Sequence, residues 1–305
     1  MAIVAPIFGV LASCGTCMVV IEQLATKEPG CMNLMTFSTF LFIAIEGLLL
    51  SVRFFTVKNK IPILAYFKLV VIFFVVNVVN NQALNFHVPV PLHIIFRSGS
   101  LLASLVLGVL LLKRTYTPKK YFSVVLITIG IIVVTLATGS DVSIFMLTFA
   151  LIASAYLGIT QERLYTQYGK HPREALFYVH ALSLPGFLFM YNDIVKHATI
   201  FNESTPVTVP GVNVDVPEMW LYLVAVDVAQ YACIRCVYIL TSECTSLTVT
   251  LVVTLRKFMS LLISIWYFNN PFTPVHWAGS LLVFAGTLLF TDWQKPAAAE
   301  AKKKN

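Results

Sequence analysis

Apolar residues in this chain come in blocks of about twenty, joined by short charged connections. That is the length an α-helix needs to cross the hydrocarbon core of a bilayer. Inside lipid every backbone polar group must be satisfied internally, which leaves helices and closed barrels as the spanning structures. Ten spans can be counted: 2–22, 33–53, 62–84, 91–112, 120–138, 143–163, 175–195, 217–239, 245–268 and 275–292. The chain is 58% hydrophobic and 11% charged, where a soluble domain carries about 25% charged residues. The expectation is an all-α membrane protein, one domain over residues 1–292 followed by a tail at 293–305. The first span has no basic segment before it and reads as a retained helix rather than a cleaved signal peptide.

Basic residues orient the spans. With the N-terminus in the cytosol, the cytosolic connections and tail hold Arg53, Lys58, Lys60, Lys113, Arg114, Lys119, Lys120, Arg163, Lys170, Arg173, Lys295, Lys302, Lys303 and Lys304. The other side holds Lys27 and Lys196. Positive charge stays in the cytosol, so both termini are expected there, and the long connection from Asn192 to Glu218 faces the lumen. That connection contains Asn202-Glu203-Ser204, a glycosylation acceptor pattern. The chain ends in "KKKN". Lys302 and Lys303 resemble the dilysine signal that coat proteins read for retrieval to the endoplasmic reticulum, which fits residence in endoplasmic reticulum and Golgi membranes. The net charge of +7 is accounted for by these loops and does not imply nucleic acid. No phosphate-binding glycine loop and no dinucleotide fingerprint occurs, and the six histidines are scattered, so neither cofactor nor metal is expected. Two C-x-x-C pairs, Cys14/Cys17 and Cys233/Cys236, lie inside apolar spans, where cysteine is expected to pack as a small hydrophobe.

An internal echo suggests duplication. Arg97 to Ser104, "RSGSLLAS", and Lys257 to Ser264, "KFMSLLIS", both read cation-x-x-Ser-Leu-Leu-x-Ser. Further on, Tyr116-Thr117-Pro118 matches Phe272-Thr273-Pro274, and Gly130 and Gly286 each follow the Pro by twelve residues. Repeat one would cover about 1–138 and repeat two about 143–292. Five spans per repeat is odd, so the halves would insert with opposite orientation, the arrangement of transporters whose site lies at the repeat interface.

The span from Thr250 to Trp266, "TLVVTLRKFMSLLISIW", carries Arg256 and Lys257 side by side. Each cation costs about 2.5–3.5 kcal/mol at a helix centre, while its strongly apolar residues return about 0.3–0.6 kcal/mol each. Such charges face a bundle interior and mark substrate routes. Arg97 and Lys257 would be pseudo-symmetric cations suited to an anionic ligand. Neighbours on a helix point about 100° apart, so Lys257, which shares a face with Thr254, is placed toward the ligand. Arg256 is placed at the edge or against an acid, Glu46 or Asp227. Asn77, Asn80, Asn81 and Asn85 share one face of the third span. Their amides suit a sugar or base, and serve equally as interhelical glue. Phe177, Tyr178 and His180 offer stacking faces and a polar tip for a base, and would equally form core.

Four stretches carry a family resemblance: "VVNNQALN", "PLHIIFRSGS", "YGKHPREALFYVHALSLPGF" and "SLTVTLVVTLRKF". The chain resembles the nucleotide-sugar transporters of the drug/metabolite superfamily, most closely the UDP-xylose and UDP-N-acetylglucosamine branch. Related GDP-mannose transporters carry F-Y-N-N and G-A-L-N-K motifs. Here these positions read Phe177-Tyr178-Val179-His180 and Val253-Thr254-Leu255-Arg256-Lys257, so both Asn of the first motif are absent and Arg256 replaces that of the second. The resemblance implies exchange of a cytosolic UDP-sugar for lumenal UMP, with binding by Lys257, Arg97, Arg256, Thr254, Asn77, Asn81, Tyr178 and His180, and leaves a homodimer open. A sugar phosphate or another anion would suit the same cations. A membrane glycosyltransferase lacks support, since no D-x-D motif is present.

Overall fold

The computed structural model describes residues 4–85, 90–138, 141–208, 214–243 and 246–290. They are almost entirely helical: α1 (Val4–Lys27), α2 (Met32–Glu46), α3 (Ile63–Asn85), α4 (Val90–Ser98), α5 (Ser100–Leu112), α6 (Pro118–Thr138), α7 (Asp141–Tyr168), α8 (Pro172–Ser183), α9 (Tyr191–Asn202), α10 (Glu218–Glu243), α11 (Ser246–Tyr267) and α12 (Pro274–Phe290). Among the described residues, seven helical stretches are long and apolar enough to cross a membrane, and α12 is a shorter apolar helix.

The breaks in the helices follow local chemistry. The expected span 91–112 is divided between α4 and α5 at Gly99. Lys113 ends α5 in the left-handed conformation at φ 51°, its N–H returning to the Gly108 carbonyl. The span expected at 175–195 becomes α8, a 3₁₀ stretch at Leu184–Met190 and α9. Pro185 near the start of that stretch cannot donate to an α-helical ladder. α2 runs into a π turn at Gly47–Ser51, and Arg53, Phe54 and Phe55 then take left-handed φ of 45°, 53° and 63°. The connection expected to be lumenal holds two short antiparallel strands, β1 (Pro206–Thr208) and β2 (Asp215–Pro217).

The chain forms two compact units that cut across the sequence halves. One takes residues 1–19, 90–140 and 232–305, the other 20–89 and 141–231. In the first unit α6 packs along α12. A Cβ added at Gly130 would lie 2.5 Å from the Gly279 carbonyl oxygen, and one added at Gly286 would lie 2.8 Å from the Ser123 carbonyl oxygen. The later residue of each helix meets the earlier residue of the other, so the two helices run antiparallel. Ser123 and Gly279 each stand five residues after their Thr-Pro, just as Gly130 and Gly286 stand twelve after it. The contact is therefore reciprocal, which is the mark of a local two-fold.

Among the described residues, two apolar cores lie in the second unit. One joins Val52, Ile61, Tyr66, Leu69, Val70, Leu164, Phe177 and Tyr178; the other joins Leu24, Met32, Leu34, Phe201, Met219 and Leu223.

The cysteine expectation is corrected in part. Cys14 of α1 and Cys233 of α10 form a disulfide, with Cα atoms 4.8 Å apart, within the first unit. Cys17, Cys31 and Cys236 are free thiols. The sequence places each C-x-x-C on its own helix; only the approach of α1 to α10 pairs a cysteine of one with a cysteine of the other.

Candidate functional site

The first unit brings together Arg97, Arg256 and Lys257. On α4 every residue from Pro91 to Ser98 is buried except Arg97, which is exposed. α4 packs against α11, where Lys257 extends to 3.5 Å from the Ser98 hydroxyl. Ser98 itself donates to the Ile94 carbonyl at 3.2 Å, so its lone pairs face the ammonium. Arg256 points the other way, its Nη1 donating to Cys233 Sγ at 3.5 Å. The divergence expected of adjacent helical residues is thus realised. Lys257 lies within Coulombic range of both Arg97 and Arg256. Thr254 is buried one turn before Lys257.

Among the described residues none of the three cations forms an ion pair. The acid partners expected for Arg256 are engaged elsewhere, in the second unit. Asp227 accepts from Ser38 at 2.5 Å and Thr39 at 2.7 Å, and Glu46 accepts from the Tyr231 hydroxyl at 2.6 Å. Within that unit, hydroxyls of α2 and α10 reach those carboxylates. His93, one turn before Arg97, is buried, and its Nε2 has no hydrogen-bond partner.

The remaining candidates lie in the second unit, and most are consumed by packing. Tyr178 is 2% exposed, stacks on Tyr66 at 5.3 Å and donates its hydroxyl to Asn59 at 2.6 Å. Its ring is packed into the core of the second unit in this structure. Phe177 is buried and sits edge-on to Tyr178. His180 is buried between the rings of Phe40 and Phe73, with Nδ1 on the Leu176 carbonyl at 2.7 Å. Asn81 is buried, and its amide NH2 is shared among the Met32 carbonyl, Asn33 Oδ1 and Thr36 Oγ1 at 3.2, 3.2 and 2.9 Å. It is interhelical glue in this structure. Asn77 donates to the Phe73 carbonyl at 2.8 Å and keeps partial exposure. Asn202 ends α9, exposed, with its Oδ1 accepting from the Trp220 indole at 2.8 Å. Lys302 and Lys303 lie outside the described residues.

Sequence reasoning missed Ser98 and Glu174. Ser98 follows Arg97 directly in "RSGS", and one-residue adjacency to a cation is a weak signal. Glu174 accepts from the backbone N–H of Lys60 and Ile61, both at 2.9 Å, and from Tyr66 at 3.2 Å. Together with Tyr178 it holds the connection between α2 and α3. The "EALFY" stretch thus clamps a loop in this structure.

The profile of the UAA transporter family matches residues 2–294. The chain belongs to that family. The transporter is 48% identical over 303 residues to a Danio rerio protein named UDP-xylose and UDP-N-acetylglucosamine transporter, covering 93% of this chain and 92% of the other. It is 49% identical, with the same coverage, to human nucleotide sugar transporter SLC35B4. It is also 49% identical over 310 residues to the endoplasmic reticulum GDP-fucose transporter of Drosophila melanogaster, covering 93% and 88%. These likenesses place the chain among transporters, as its resemblance implied, and apart from enzymes.

Proposed function

We propose that the transporter exchanges a cytosolic UDP-sugar, UDP-N-acetylglucosamine or UDP-xylose, for lumenal UMP across endoplasmic reticulum and Golgi membranes. The observation that carries this reading is the cation group on α4 and α11, which no acid among the described residues pairs with. Buried or half-buried charge is costly unless paired. Three cations of one sign in one place call for an anionic occupant, and phosphate is held by Arg bidentately or by Lys as a point charge. A relative of nearly half identity is named a UDP-xylose and UDP-N-acetylglucosamine transporter, which supports a UDP-sugar as that anion.

The same electrostatics suits exchange. An empty site leaves its cations repelling one another inside the membrane, so a change of access without cargo is unfavourable. A phosphate, whether on UDP-sugar or UMP, neutralises them in both directions of travel. The reciprocal contact of α6 and α12 supports two inverted five-helix repeats and the ten-span count, since a two-fold relating antiparallel helices is the symmetry of inverted halves. The basic asymmetry of the connections supports cytosolic termini, with the dilysine tail available to coat proteins.

The test is purified protein in liposomes preloaded with UMP and offered labelled UDP-N-acetylglucosamine, UDP-xylose, GDP-fucose and a sugar phosphate. Lys257→Ala should abolish exchange while the protein stays folded, and Lys257→Arg should keep part of it. Arg97→Ala should weaken UMP and UDP-sugar alike, because both carry phosphate. Loss of one without the other would break the phosphate assignment. A second reading, a GDP-sugar cargo, is favoured by the Drosophila relative; uptake of GDP-fucose against GMP, with no response to UMP, would establish it.

A further inference from the structure

The Cys14–Cys233 disulfide lies directly beside the candidate phosphate site. Val10, Leu240 and Val252 are buried around it. A Cβ added at Gly9 would lie 2.8 Å from Cys236 Sγ, so α1 and α10 approach closely at this level. Arg256, which no acid holds, donates to Cys233 Sγ at 3.5 Å. A thiol at this place could rotate and carries a proton of its own, whereas a disulfide sulfur is an acceptor only and is held by a covalent bond. Of the three cations, Arg256 is the one whose direction is set by this sulfur.

We propose that the Cys14–Cys233 disulfide positions Arg256 and thereby sets the affinity of the site for phosphate-bearing ligands. This rests on the phosphate-site reading above. With the bond intact, the guanidinium is held toward α10, where its charge stays within Coulombic range of both Lys257 and Arg97. When the bond is reduced, Cys14 and Cys233 gain two electrons and two protons, and a dithiol reductant closes to its cyclic disulfide. Arg256 then loses its fixed acceptor and its long side chain samples several rotamers, so ligand affinity falls while the chain's other two cations stay in place.

The experiment uses the full chain. Peptide mapping without reduction, after alkylation, should recover Cys14 linked to Cys233, with Cys17, Cys31 and Cys236 alkylated once the protein is unfolded. Recovery of Cys14 and Cys233 as free thiols would overturn the proposal. In liposomes, dithiothreitol should raise the KM for UMP about three- to tenfold, the range of an ordinary hydrogen bond, and leave the maximal exchange rate nearly unchanged. Arg256→Ala should already show the higher KM and respond no further to dithiothreitol, while Arg97→Ala should still respond. An equal response in Arg256→Ala and wild type would show that the bond acts on the fold and not through Arg256. UMP bound with no response to dithiothreitol overturns the positioning role alone. Wild-type protein that binds no UMP in either state overturns the phosphate site and this proposal together.

Discussion

At the scale of single residues, chemistry on a helix is decided by which neighbour arrives first. Tyr178 carries everything a base platform needs, yet Tyr66 covers its face and Asn59 takes its hydroxyl. Two substitutions separate the roles. Tyr178→Phe removes one hydrogen bond and should cost about 1 kcal/mol, with UMP competition intact. Tyr178→Ala leaves a cavity among buried rings and should cost about 3–5 kcal/mol, seen as a lower melting temperature in detergent before any change in selectivity. A Tyr178→Phe protein of normal stability that no longer distinguishes UMP from GMP would restore the base-reading role. Cys31 gives a second case outside the spans. Burial, helped by nearby Glu28 and Asp193, pushes its thiol up to about 12. The thiolate is the reactive form, so Cys31 should resist alkylation at pH 8 in the folded protein and react once it is unfolded. Rapid labelling of the native protein at that position would contradict the burial.

At the scale of elements, the closest helix pair is α6 with α12, and small residues make it so. The Gly130 and Gly286 contacts are with backbone carbonyls, which cannot swing aside. Without a hydrophobic drive between helices in lipid, such close approach is the main source of association. Gly130→Ala and Gly286→Ala should therefore lower the melting temperature by several degrees each. Gly15→Ala and Gly158→Ala meet nothing within 4 Å and should be neutral or slightly stabilising, because Ala favours helix by about 1 kcal/mol over Gly. Equal behaviour of the two sets in a thermal-shift assay would refute the reciprocal packing. Loops follow the same logic with polar groups: Glu174 turns the α2–α3 connection by accepting two backbone N–H groups that a loop would otherwise leave to water.

At the scale of the whole molecule, orientation rests on charge. The excess of Lys and Arg in one set of connections predicts that Asn202 faces the lumen. Glycosidase should shift the gel band of the native protein and leave Asn202→Gln unshifted. A protease that cuts this connection from the cytosolic side would reverse the topology. Replacing Lys302 and Lys303 with Ser should move the protein outward from the endoplasmic reticulum with exchange intact; an unchanged distribution under the microscope would leave "KKKN" as a charged tail.

The amino-acid sequence by itself determined the class of fold, the places of the helices and the family. Those properties are written in local runs: about twenty apolar residues, a Pro or Gly at a break, cations between spans, and motif words such as "SLTVTLVVTLRKF". It also singled out Arg97 and Lys257, which share the motif cation-x-x-Ser-Leu-Leu-x-Ser and lie within Coulombic range of one another. Only the tertiary structure decided which polar side chains are spent. Asn81, His180 and Tyr178 share faces with plausible ligand-binding patterns, and periodicity cannot tell a face turned to a ligand from one turned to a neighbouring helix. The Cys14–Cys233 bond spans 219 residues of chain. A contact at that separation exists because two helices meet, and no local pattern records where a distant helix will lie.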